Sequence, residues 1–410
     1  MPRLHGNAIV GQAGGPTAVI NQSLVGVVEE CLKHPHIDGL LGARNGLVGI
    51  VERDLIDLRR QPAAMLERVA LTPGAALGST RDKMNLAYAE RIIAAFRDLN
   101  IRYFFYMGGN DSAMTVRAVD RVAREAKWDF RAIHIPKTID NDLLANDHCP
   151  GFGSAARFVA MAFIGDNLDN RALPGIKINV LMGRDAGFVT AASVLARRRE
   201  DDGPHLIYVP ERPLELDRFV NDVAAVVDRY GRAVIAISEG VRDVDGDYWT
   251  SRISKNIEQD SFGHIQLSGS GSLADFFAGT LRSFLPRGPW RIRADTFGYL
   301  QRSFPVGISE TDAWEARLAG QMAVIYSLED IAAGSVALTR LPGATYACGT
   351  RLVALEAVAP DSPPLTRRLP DEYICAAGND IQESYLPYVE PLVGPLPQVG
   401  WFEQITSGGG

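Results

Sequence analysis

Tyr103-Phe104-Phe105-Tyr106-Met107-Gly108-Gly109-Asn110-Asp111-Ser112 is the stretch that decides the fold. Its unbroken run of large apolar residues reads as a strand buried on both faces, as in a parallel sheet. A glycine pair follows, and Val116, Val119, Val122 and Ala123 then recur on one side of a helix. The glycines let backbone N–H groups come close to an anion, and Ser112 is placed to cap the helix whose positive end faces that anion.

The same design recurs on either side. Ala8-Ile9-Val10 runs into Gly11-Gln12-Ala13-Gly14-Gly15-Pro16-Thr17, and a helix with Val19, Ile20, Leu24, Val27 and Val28 follows. Ala132-Ile133-His134-Ile135 runs into Pro136-Lys137-Thr138-Ile139-Asp140-Asn141-Asp142. Proline opens that last segment and an Asn-Asp pair closes it, so it reads as a loop leaving a buried strand. It carries a cation able to hold phosphate oxygens and a carboxylate able to take a proton from an attacking hydroxyl, which are the parts of a phosphoryl-transfer site. Among 40 glycines a single Gly-Gly pair is more often a tight turn, and Asp-Asn-Asp is more often a solvated one. The weight comes from the three loops sharing one kind of strand-to-helix junction, the place where open parallel sheets bind ligands.

The alternation continues. Lys177-Ile178-Asn179-Val180-Leu181 leads to Met182-Gly183-Arg184-Asp185-Ala186-Gly187 and a helix through Ala191 and Leu195. Leu206-Ile207-Tyr208-Val209 and then Ala233-Val234-Ile235-Ala236-Ile237, followed by Ser238-Glu239-Gly240, extend the series. Strands alternating with helices predict an α/β fold with mainly parallel sheets. Residues 243–271 are polar and rich in Asp, Ser and Gly, which predicts an excursion between elements. After about residue 340 the alternation decays and proline becomes frequent.

A chain of 410 residues is too long for one ordinary core, and two domains fit. With 46% hydrophobic and 22% charged residues, the composition is that of a globular protein. A net charge of -7 without a compensating basic run argues against nucleic-acid binding, since Arg197-Arg198-Arg199 is followed at once by Glu200-Asp201-Asp202. Cys31, Cys149, Cys348 and Cys375 are scattered with no paired spacing, which favours reduced thiols in a cytoplasmic protein over a disulfide framework or zinc site. No apolar window approaches the roughly 18 residues a membrane span requires.

Across roughly residues 6 to 330 these motifs resemble the phosphofructokinases, and more narrowly their pyrophosphate-dependent branch. The resemblance implies two Rossmann-like three-layer domains with the active site in the cleft between them. Residues 1–151 with about 301–345 would form the phosphoryl-donor domain and 152–300 the sugar-phosphate domain. Residues 346–410 would pack on the core as an extension, with a disordered tail at 407–410. It also implies a homodimer or homotetramer, and Mg²⁺ as cofactor.

Motif by motif, the likeness assigns Gly14, Gly15 and Arg81 to the donor phosphates, and Thr138, Ile139 and Asp140 to the sugar-phosphate loop. Asp140 would be the base toward the C1 hydroxyl of fructose 6-phosphate, with Lys137 and Arg184 beside the transferring group. Met182, Gly183 and Arg184 match the family's Met-Gly-Arg motif, and Glu239 matches the glutamate that contacts sugar hydroxyls. Tyr299 and Arg302 match the 6-phosphate motif, although a histidine is common where Tyr299 stands. Arg293 resembles an arginine that reaches the 6-phosphate in a neighbouring subunit, and Gly175 stands near where a second such arginine often occurs, with Lys177 a partial substitute. Asn110 stands where many members carry a magnesium-binding aspartate, so Asp111 becomes the expected metal carboxylate.

The phosphoryl donor turns on two positions. ATP-using relatives typically have glycine where Asp111 and Lys137 stand. A carboxylate at 111 crowds and repels a nucleotide's α-phosphate, while a lysine at 137 adds a cation for pyrophosphate. The implied reaction makes fructose 1,6-bisphosphate and phosphate, reversibly. An ATP-dependent kinase of the same fold and a non-catalytic regulatory subunit are the alternatives. A dinucleotide dehydrogenase is disfavoured because the first loop lacks Gly-x-Gly-x-x-Gly spacing.

Overall fold

The computed structural model describes residues 4–82, 84–253, 271–285, 288, 290–329, 331–363 and 365–402. The strands are β1 (Gly6–Gln12), β2 (Ile37–Ala43), β3 (Leu55–Asp57), β4 (Ile101–Gly108), β5 (Arg131–Pro136), β6 (Ile176–Leu181), β7 (Leu206–Tyr208), β8 (Ala233–Ser238), β9 (Ile292–Thr296), β10 (Ala333–Arg340) and β11 (Cys348–Val353). They form two sheets, one ordered β11-β10-β5-β4-β1-β2-β3 and one ordered β7-β8-β6-β9. Every pairing is parallel except β2 with β3 and β10 with β11 at the two edges of the larger sheet. Helices alternate with these strands, so the α/β class read from the sequence holds.

Tyr103 to Met107 of β4 are at most 2% exposed, because β4 lies inside the larger sheet with helices covering both faces. From β1 the chain steps out to β2, and β4 then takes the other side of β1, so the strand order reverses between β1 and β4. In the smaller sheet β6 is flanked by β8 and β9, which is a second reversal. Crevices at such reversals, beyond the carboxyl ends of the strands, are where open α/β sheets bind ligands.

The late helix Glu310–Ser327 returns to the larger sheet and packs on Ile20–Leu32. Their backbones touch: a Cβ added at Gly26 would stand 2.2 Å from the Arg317 carbonyl oxygen, and one at Gly320 2.1 Å from that of Ser23. Ser309 caps this late helix by accepting the Asp312 N–H.

Two expectations shift. The helix after β4 begins at Asn110 with Gly109 as its cap residue, so Ser112 lies inside the first turn and is not the cap. Glycine at the cap position has no side chain to accept from the first turn, so those N–H groups have no side-chain cap. After Gly187 the helix is one turn, Phe188–Ala191, tightening into a 3₁₀ segment, Ala192–Ala196. Beyond residue 345 the chain supplies β11 to the larger sheet, and Leu369, Ile374, Ile381, Tyr385, Tyr388, Val389, Leu392 and Val393 complete the core around Phe152, Phe163, Phe188 and Ile207. Of the polar excursion, residues 243–253 and Gly271 are described; the remainder, like the tail 407–410, lies outside the described residues.

Candidate active site

The loops at the carboxyl ends of six strands meet in one cavity of about 230 Å³. From the larger sheet, β1 contributes Gly14, Gly15 and Thr17, β4 contributes Asp111 and Ser112, and β5 contributes Lys137, Thr138, Ile139 and Asp140. From the smaller sheet, β6 contributes Met182 and Arg184, β8 contributes Glu239, and the turn after β9 contributes Tyr299 and Arg302. Arg81 closes one side.

Gly14 has φ +73°, a backbone state that favours glycine, and its N–H donates to the Thr80 carbonyl at 3.1 Å. The Lys137 ammonium donates to the Gly15 carbonyl at 2.7 Å, which ties the β5 loop to the β1 loop. A Cβ on Gly15 would stand 2.2 Å from an Arg302 guanidinium nitrogen, so glycine there leaves room for Arg302 to reach across to the donor loop.

Charge is concentrated here. Lys137 is 4% exposed, and burial, then Arg302 and Arg81, pull its ammonium pKa down to about 7 against the lift from Asp140 and Asp142. Burial, then Glu239, pushes the Asp140 carboxyl up against the pull of Arg184 and Arg302. Burial, then Asp140, pushes Asp142 up as well. Burial lowers the Arg302 guanidinium, and its Nε has no hydrogen-bond partner. Asp140 Oδ1 is also buried without a partner, while the Asp140 N–H donates to Thr138 Oγ1 at 3.0 Å. Buried polar atoms without partners, on residues that line a cavity rich in both signs of charge, mark a cleft shaped for a charged ligand.

Under this floor, burial lowers His134 to about 4, so the ring is neutral, with its nitrogens 2.8 Å from Ser335 Oγ and 2.9 Å from the Gly108 carbonyl. It fixes the β4 turn from below.

Two expected site residues stand apart from the cavity lining. Gly183, φ +137°, shapes the turn between Met182 and Arg184, where a Cβ would stand 2.7 Å from the Ala186 carbonyl oxygen. Arg293 lies exposed on β9, donating to its neighbour's carbonyl at 3.1 Å. Lys177 is ion-paired with Asp295. Sequence reasoning missed Thr17, Thr80 and Tyr106 as lining residues. Tyr106 belongs to the strand run, and nothing in that run marks the side chain that touches the cavity.

For a metal, Asp111 is the carboxylate among the cavity-lining residues of this loop, an oxygen donor of the kind Mg²⁺ takes, while Asn110, whose Oδ1 is buried with no partner, does not line the cavity. Away from the cleft, His148, Glu315 and Cys348 bring ligand atoms within 4.8 Å of one another. Both His148 ring nitrogens lie 2.7 Å from a carboxylate, one from Asp147 and one from Glu315. Burial alone would lower that imidazole, but the carboxylates raise it well above its ordinary value, leaving a cation with no lone pair for a metal.

The description "Phosphofructokinase" matches residues 7–284. The chain belongs to the phosphofructokinase family. It is 48% identical over 389 residues to a pyrophosphate--fructose 6-phosphate 1-phosphotransferase of Rhodospirillum rubrum, covering 95% of this chain and 94% of that one. An enzyme of the same name from Xanthomonas campestris is 35% identical over 398 residues, covering 95% and 92% of the two chains. The structure of a pyrophosphate-dependent phosphofructokinase from Marinobacter aquaeolei superposes with a TM-score of 0.83 at 30% identity, covering 97% of this chain and 94% of that one. In this phosphofructokinase, no described helix is long and apolar enough to cross a membrane.

Proposed function

We propose that this phosphofructokinase transfers a phosphoryl group from pyrophosphate to the C1 hydroxyl of fructose 6-phosphate, giving fructose 1,6-bisphosphate and phosphate. The carrying observation is the meeting of Lys137 and Asp140 at one cavity, with Asp111 at its donor edge.

Gly14, Gly15, Arg81 and Lys137 bind pyrophosphate, and Thr138, Ile139, Met182, Glu239, Tyr299 and Arg302 bind the sugar phosphate, with Gly183 shaping the turn that presents Met182 and Arg184. Asp140, its carboxyl raised toward neutrality, is a base suited to take the C1 proton as that oxygen bonds to phosphorus. The bridging P–O bond breaks and its electrons leave with phosphate, while Lys137 and Arg184 offset charge on the group in flight. Mg²⁺, held by Asp111, would neutralise part of the pyrophosphate charge. Arg293 acts from the surface on a neighbouring subunit of a homodimer or homotetramer. We assign the donor domain to 1–151 with about 301–345 and the sugar-phosphate domain to 152–300, in a cytoplasmic enzyme of glycolysis and gluconeogenesis.

Asp111 supports pyrophosphate over ATP. It occupies the first turn of the helix after β4, so its carboxylate sits where the helix's positive end would otherwise receive a longer donor's next phosphate. The test is turnover of the purified chain with pyrophosphate or ATP against fructose 6-phosphate. Turnover with ATP alone, or with neither donor, overturns the reading.

A further inference from the structure

The loop between Lys137 and Gly151 leaves the larger sheet, carries Asp140 into the cleft and delivers the chain to the helix Phe152–Ala172. Asn141, the residue after the proposed base, is fully buried and holds φ +60°, the left-handed region that asparagine tolerates better than most side chains. That turn aims Asp140 forward while the Asn141 side chain points back. Behind the loop, Asn141 Nδ2 donates to the Tyr388 hydroxyl at 2.7 Å, and Asn141 Oδ1 accepts the Cys149 N–H at 3.0 Å. The Tyr388 hydroxyl in turn donates to the Asp147 carbonyl at 2.8 Å. One phenol oxygen therefore joins the outgoing and returning limbs of the loop. The Arg367 N–H adds a third tie, to the Asp142 carbonyl at 2.7 Å.

Tyr388 and Arg367 both belong to the C-terminal segment, beyond the residues the family description covers. That segment is anchored elsewhere: Leu369, Ile374, Ile381, Tyr385 and Val389 are buried in the core on the smaller sheet's side. The Tyr388 ring packs among Tyr373, Tyr385 and Phe188. A rigid aromatic cluster of one half of the molecule thus grips the catalytic loop of the other from its solvent-remote side. A loop held in a sparsely populated backbone state persists only where its surroundings over-determine it, and here the Tyr388 hydroxyl is the one side-chain group from outside the loop among these ties that reaches both limbs.

We propose that Tyr388 is a positioning residue for phosphoryl transfer: its hydroxyl, carried by the C-terminal segment, locks the Asn141 turn and so fixes Asp140 against the acceptor hydroxyl. The inference rests on the function proposed above only in naming Asp140 the base; the lock itself is a statement about loop order.

The test is Tyr388→Phe, which removes one oxygen and keeps the ring, set beside Tyr385→Phe. Tyr385 lies on the same segment and is also buried, but its hydroxyl donates to the Phe188 carbonyl at 2.9 Å. Tyr388→Phe is expected to lower kcat on the order of 10- to 100-fold, the scale of a misplaced catalytic group. KM for either substrate should stay within about twofold, and the acidic limb of the kcat profile should move to lower pH as water reaches Asp140. Tyr385→Phe should leave kcat and that profile unchanged.

Hydrogen exchange read without substrate should speed up in residues 138–149 for Tyr388→Phe and not for Tyr385→Phe. Unaltered exchange in that loop, or equal losses of kcat in the two variants, overturns the lock. Selective loosening of the loop in a chain that proves inactive with pyrophosphate would instead uphold the lock and overturn the functional reading.

Discussion

Lys137 should make pyrophosphate binding a proton-linked event. In the free cleft its ammonium titrates near 7, held down from 10.5 by burial, Arg302 and Arg81. An anion placed against the same nitrogen favours the charged form, so binding raises this pKa and draws a proton from solvent. The sign follows from the direction of that change. Well below pH 7 the lysine is already charged and little is taken up. Above pH 7 the free site is neutral while the bound site is charged, so affinity falls as pH rises, by up to about tenfold per unit until the bound-state pKa is reached.

At pH 8 a group titrating at 7 is about 90% neutral, so wild type should absorb about 0.9 proton more per bound pyrophosphate than Lys137→Met. Titration calorimetry in buffers of different ionisation enthalpy measures this number, and the difference between the two proteins removes protons taken up by pyrophosphate itself. Equal uptake by both at pH 8, or the same pH dependence of affinity in both from pH 7 to 9, would show that Lys137 is charged in the free cleft and refute the electrostatic account.

Asp140→Asn keeps the shape of the proposed base and removes its proton affinity; steady-state kinetics should show kcat lower by about 10²- to 10⁴-fold with both KM values nearly kept. Asp111→Gly combined with Lys137→Gly should move donor preference toward ATP, and paired donor assays showing an undiminished preference for pyrophosphate would sink the steric and charge argument. Gly320→Ala forces a methyl against the Ser23 carbonyl, a backbone atom that cannot swing aside. Denaturant unfolding should report a loss of about 1–3 kcal/mol, with activity intact in the folded fraction.

The sequence alone determined the fold class and most of the cleft. Apolar runs such as Tyr103–Met107 and Ala132–Ile135 can be satisfied only by burial on both faces, and the glycine and proline loops that end them fix where the chain turns. Strand ends in a parallel sheet share one edge, so the loops grouped Lys137 and Asp140 with Gly14 and Asp111 at the larger sheet, and Arg184 with Glu239 at the smaller; that the two edges meet in one cavity was implied by the family motifs and is seen only in the tertiary structure. Tertiary structure alone decided what comes from far away in the chain. The reach of Arg302 to Gly15, the shift of Lys137 by two arginines, and the grip of Tyr388 on Asn141 depend on contacts between segments far apart in the chain. Their physical cause is desolvation and juxtaposition, which local propensity does not encode. The C-terminal segment read as a proline-rich wrap because its strand and short helices are stabilised by the core they complete, and not by any periodic pattern of their own.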